Sequence, residues 1–216
     1  MKNSLKHYKN ASYAALFFVM LGYVVKFYPD YLVGFDRTIQ MAIRGNLPQM
    51  GTSFWTTVTK LGNVVSIFGF VFVLAVFFYW KRWKAESYFL VGSLILMAGV
   101  SSALKFLYQR PRPTIEWLID TVGYSYPSWH TASTMLVAGV LVIVLNQRCQ
   151  NKWLKYLGQA LLVIIAILVA LSRVYIGVHF PTDIIGGWLL ALALLFGLYP
   201  TYDRYRFTWR FQSKQK

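Results

Sequence analysis

Long apolar stretches separated by short polar or basic segments dominate the chain. They cover approximately residues 11–28, 64–80, 87–108, 131–146, 157–174 and 184–199. Each approaches the roughly 20 apolar residues that a helix needs to cross a bilayer. The pattern predicts an all-α integral membrane protein with six transmembrane helices in a bundle. The first run follows a basic segment, as the core of a signal peptide would. It is long for such a core, however, and ends in Tyr28-Pro29-Asp30 without a small-residue cleavage site, so it reads as a retained helix. Between the first two runs, Phe35, Ile39, Ile43 and Leu47 recur at helical spacing with Arg37 and Arg44 among them. The stretch from Gly34 to Leu61 therefore fits an amphipathic helix lying in the outer interface, and fits an ordered connector without function equally well.

Composition agrees with this class. Of 216 residues 57% are hydrophobic and 13% charged, against roughly 25% charged in ordinary soluble domains. Such a chain cannot cover itself with polar surface. Six spans use most of its length, so residues 1–216 read as one domain with basic tails at 1–10 and 201–216. The net charge of +15 would suggest nucleic acid in a soluble protein, but its distribution argues against that partner. Lys2, Lys6 and Lys9, then Lys81, Arg82 and Lys84, then Arg148, Lys152 and Lys155, then Arg204, Arg206, Arg210, Lys214 and Lys216 form four clusters between the apolar runs. With six alternating spans all four fall on one side, which the positive-inside rule makes cytoplasmic, together with both termini. Asp30, Asp36, Glu116, Asp120 and Asp183 fall on the other. Trp55, Trp80, Trp83 and Trp153 sit at helix ends, where aromatic belts form. The one cysteine, Cys149, excludes an internal disulfide.

Charges remaining at membrane depth are functional candidates by default. They are Lys105, Arg110, Arg112, His130, Arg173, His179 and Asp183, all near the outer ends of the third to sixth spans. Lys105 and Arg112 are seven residues apart, two turns along one face of a continuing helix, and Pro111 and Pro113 fix the backbone around Arg112. Ser128 suits an N-cap, and the helix N-terminus behind it is an anion site one turn from His130. Asp183 follows His179 by four residues, which on a helical turn sets a carboxylate beside an imidazole. Taken singly, Lys105 also fits a snorkelling lysine, Ser128 a plain cap, and His179 with Asp183 a buried structural pair.

As a set, Lys105-x6-Arg112-Pro113, Pro127-Ser128-x-His130 and Ser172-Arg173-x5-His179-x3-Asp183 resemble the three-part signature of the type 2 phosphatidic acid phosphatase superfamily. That superfamily includes bacterial undecaprenyl diphosphate phosphatases and vanadium haloperoxidases. The resemblance implies a membrane lipid phosphatase in a bacterial plasma membrane, with its site on the outer face. It implies that His179 is a nucleophile forming a phosphohistidine, that Asp183 orients it, and that His130 protonates the departing oxygen. It implies that Lys105, Arg112, Arg173 and Ser128, with the amides around Trp129, bind the phosphate. It implies no metal or other cofactor, and seven acidic residues in all are few for a two-metal site. The substrate would be undecaprenyl diphosphate, phosphatidylglycerol phosphate or phosphatidic acid. A phosphotransferase using the same histidine and a non-enzymatic anionic-lipid transporter are the alternatives. Trp129 stands where the family motif usually has glycine, and a large residue there would crowd the phosphate or resist a positive φ.

Overall fold

A computed structural model of the chain describes residues 4–215. It is all helical among those residues, in the order α1 (Ser4–Phe27), α2 (Asp30–Arg44), α3 (Gln49–Val58), a 3-10 turn (Thr59–Gly62), α4 (Val64–Trp80), α5 (Lys84–Tyr108), α6 (Trp129–Arg148), α7 (Lys152–Tyr175) and α8 (Pro181–Phe211). The breaks follow local chemistry. Pro29 separates α1 from α2, since a proline cannot donate to the preceding turn. Gln109 ends α5 in the left-handed conformation (φ 51°). Asn151 begins α7 by accepting the Trp153 and Leu154 N–H groups at 3.0 and 3.2 Å.

α1, α5, α6, α7 and α8 are each long and apolar enough to span a membrane. α4 has 17 residues, about 25 Å of helix. Together with α3 and the 3-10 turn, bent from it by 52°, it makes the sixth candidate span, broken near one end. Exposed Leu16, Phe17, Val19, Phe72, Val73, Leu161 and Ile164 give α1, α4 and α7 apolar outer faces, as a lipid solvent requires. Inside, Leu90, Leu94, Met97, Leu136 and Val140 form the buried centre between α5 and α6, while α8 packs along α1 and α6.

One expectation is refined. The stretch from Gly34 to Leu61 is two helices and a turn, broken near Gly45 and Leu47, both at positive φ. The inward face of α2 carries Asp36 and Gln40, with Ile43 against the core, while Phe35 and Met41 point outward. An interfacial helix beside lipid can turn apolar residues away from the protein, because the surroundings are as apolar as the core. The segments 1–10 and 201–216 also continue as helix over most of their length, α1 from Ser4 and α8 through Pro200 to Phe211. Lys2 and Lys216 lie outside the described residues.

Candidate active site

The C-terminal ends of α5 and α7 and the N-terminal ends of α6 and α8 meet around two histidines. Because α5 stops at Tyr108, Lys105 and Arg112 do not share a helix face as a continuing helix would place them. The loop returns instead. Lys105 Nζ donates to the Tyr124 carbonyl at 2.6 Å. Arg112 donates to the carbonyls of Gly123 (2.9 Å) and Val122 (3.0 Å) and, from Nη1, to that of Val178 (2.8 Å). Its guanidinium thus ties the α5–α6 loop to the α7–α8 loop.

His179 and Asp183 straddle the start of α8 rather than lying on one helical turn. Pro181 opens the helix, and Asp183 Oδ2 accepts the Phe180 N–H at 2.9 Å while lying 3.1 Å from His179 Nδ1. A carboxylate only accepts, so the ring hydrogen sits on Nδ1 and Nε2 keeps its lone pair. That nitrogen is 3.4 Å from Arg112 Nη1. Burial, followed by the charges of Arg173 and Arg112, holds His179 neutral well below the ordinary imidazole range. The other Asp183 oxygen accepts from Arg110 Nη1 at 2.6 Å.

Arg173, on the last turn of α7, is buried. Its Nη1 donates to Thr59 Oγ1 at 2.8 Å, and its Nε has no hydrogen-bond partner among the described residues. Ser128 occupies the N-cap position of α6, but its side chain makes no capping bond. Its Oγ accepts from Thr131 Oγ1 at 3.1 Å, and its backbone N–H donates to the Asp183 carbonyl at 3.2 Å. Trp129 has ordinary helical backbone, and its ring stacks on Phe68 of α4 (centroids 6.3 Å apart, planes at 11°). The bulk at the glycine position is therefore taken up by α4, and what Trp129 offers an anion is its first-turn N–H. His130 Nε2 lies 2.9 Å from Asn63 Oδ1. The ring is within electrostatic reach of His179, Arg173, Lys105 and Arg112. The three cations, the two histidines and Asp183 accordingly share one site.

Five residues at this site were not assigned from the sequence: Asp36, Thr59, Asn63, Arg110 and Thr182. Arg110 was visible as a charge at membrane depth, but its partners are 74 and 73 positions away in the chain. Asp36 counted only as an outer-side carboxylate. Thr59 opens the 3-10 turn, Asn63 follows it, and neither carries a spacing signal.

The chain is similar to known proteins in both sequence and fold. Phosphatidylglycerophosphatase B of Bacillus subtilis is 31% identical over 147 residues, 65% of this chain and 70% of that protein. The undecaprenyl-diphosphatase of Sulfolobus acidocaldarius is 33% identical over 124 residues, 55% of this chain and 56% of that protein. The crystal structure of a transmembrane PAP2 type phosphatidylglycerolphosphate phosphatase from Bacillus subtilis superposes with a TM-score of 0.81 at 25% identity, covering 91% of this chain and 96% of that one. The sequence model of the PAP2 superfamily matches residues 86–207, the stretch that holds all three motifs, and the chain belongs to that superfamily.

Proposed function

We propose that the protein hydrolyses the terminal phosphate of a membrane lipid through a phosphohistidine on His179. The observation that carries this reading is the His179 ring, fixed by Asp183 through Nδ1 with its Nε2 lone pair facing Arg112. In the first step Nε2 attacks phosphorus and the bond to the lipid oxygen breaks. His130 donates its proton to that oxygen. In the second, water attacks phosphorus, the P–N bond breaks, His130 takes the water's proton, and inorganic phosphate leaves with the lone pair restored to Nε2. Lys105, Arg112 and Arg173 neutralise the charge spread over the transferring group, with first-turn amides of α6 behind them.

The substrate classes follow the relatives: a glycerophospholipid phosphate such as phosphatidylglycerol phosphate or phosphatidic acid, or undecaprenyl diphosphate. The site faces outward, with both termini cytoplasmic, a reading supported by the basic clusters. Phosphate release from purified protein tests the function against phosphatidylglycerol phosphate, phosphatidic acid and undecaprenyl diphosphate without an added acceptor. Release from at least one is expected. Binding without release from any member would turn the reading towards transport.

A further inference from the structure

Beside the site, the steps above leave the buried charges of Arg110 and Asp36 unused. Arg110 sits between two carboxylates. Its Nη2 donates to Asp36 Oδ2 at 2.7 Å and its Nη1 to Asp183 Oδ1 at 2.6 Å and to Thr182 Oγ1 at 2.7 Å. Thr182 passes its own hydroxyl hydrogen to Asp36 Oδ2 at 2.8 Å, and its N–H goes to Asp36 Oδ1 at 2.9 Å. The guanidinium also lies on the Phe180 ring, 4.0 Å from its centroid. Arg110 is therefore held from α2, from the start of α8 and from the residue that follows His179, and both of its terminal nitrogens are engaged.

We infer that Arg110 and Asp36 position the nucleophile, acting on His179 through the carboxylate of Asp183. This rests on His179 being the nucleophile. One Asp183 oxygen is fixed by Arg110, which leaves the other aimed at His179 Nδ1. Asp36 balances the charge of Arg110 and fastens the first turn of α8, whose third residue is Asp183. Lys105 from α5, Arg112 and Tyr126 from the loop, His130 from α6 and Arg173 from α7 are within electrostatic reach of this cluster, and Lys26 of α1 and Arg37 of α2 line the cavity beside Asp36 and Arg110. Another unbalanced cation behind the imidazole would weaken the lone pair that must attack, so a carboxylate from α2 is needed there. Without Arg110, two carboxylates would stand close together in a dry site. A proton taken by Asp183 would let it donate to Nδ1, move the ring hydrogen to Nε2 and remove the attacking lone pair.

The test uses the full chain in nanodiscs, with Arg110→Gln, Arg110→Lys, Asp36→Asn and the charge-neutral pair Asp36→Asn with Arg110→Gln. Steady-state phosphate release gives kcat and KM, and histidine-selective 15N NMR reports the tautomer of His179. Arg110→Gln should lower kcat by about tenfold to a hundredfold, as loss of an outer partner of a held histidine does elsewhere. KM should stay within about twofold, since both terminal nitrogens of Arg110 are engaged by Asp36, Thr182 and Asp183 and its assigned role is on the nucleophile. The His179 signal should move towards the Nε2–H form. Arg110→Lys should recover part of the rate, and the double variant should be less impaired than Arg110→Gln alone. If Arg110→Gln does not fold, Arg110→Lys and the double variant carry the same two readouts. An unchanged tautomer with kcat within twofold, or a raised KM with kcat kept, would overturn the inference. Asp183→Asn separates the two levels. Full turnover in that variant removes the nucleophile reading, whereas an impaired Asp183→Asn beside an unaffected Arg110 series removes only the role of Arg110 and Asp36.

Discussion

His179 and His130 carry the same ring and are held by different partners. Asp183 gives His179 a carboxylate, which favours a nucleophilic Nε2, while Asn63 gives His130 a neutral amide, which orients the ring without making it a stronger base. His179→Ala should lower turnover of every substrate by more than about a thousandfold and abolish acid-labile phosphoenzyme in rapid-quench trapping. His179 is neutral well below the usual value of 6.5. Its reactive form is the neutral one, so with an aryl phosphate, whose leaving group needs no proton, the rate should stay level as pH falls through that value. A titration of phosphoenzyme formation near it would contradict the assignment. Asn63→Ala should slow lipid phosphates about tenfold more than aryl phosphates, because only the lipid alkoxide depends on the acid. Equal slowing of both substrates would remove Asn63 from the proton step.

The element that joins these residues is the break before α4. Thr59 and Asn63 lie at its two ends and hold Arg173 and His130, and Gly62 lets the turn approach both neighbours. A Cβ at Gly62 would stand 2.6 Å from Val169 Cγ1 and 3.1 Å from His130 Cδ2. Gly62→Ala should therefore cost about 1–3 kcal/mol and reduce turnover, read by thermal unfolding and phosphate release in detergent. Gly69→Ala in α4, with nothing within 4 Å of the new methyl, is the matched control. The α8 start works similarly. The His179–Asp183 spacing was legible as a contact, but the contact arises from Asp183 reaching back to the Phe180 N–H across a helix start. The motif gave the pair and the fold gave its geometry. The α2 segment was legible as helical, yet its inward face could not be read, since an apolar stripe beside lipid has two apolar environments to choose between.

Over the whole molecule, the proposed topology has six alternating crossings, with the loops before α6 and α8 on one side and the basic segments on the other. A cysteine at Gly123, in a Cys149→Ser background, should react with a membrane-impermeant maleimide on intact cells, and native Cys149 should react only after permeabilisation. The reverse pattern would invert the topology. Three cationic side chains at one site also predict turnover that survives excess chelator and is inhibited by vanadate; loss on chelation with recovery by magnesium would contradict it. By itself the sequence determined the membrane class and the approximate limits of the apolar runs, and it singled out Lys105, Arg112, Ser128, His130, Arg173, His179 and Asp183 as candidates. Apolar run length and short-range spacing are properties of neighbours in the chain, so a linear reading reaches them. Tertiary structure alone decided that Ser128 does not cap with its side chain, that Trp129 turns its ring onto Phe68, and that Asn63 holds His130. It also brought Asp36, from the segment after the first span, behind Arg110 and Asp183. Those contacts join residues tens of positions apart, and a buried charge takes whichever partner the packing brings within reach.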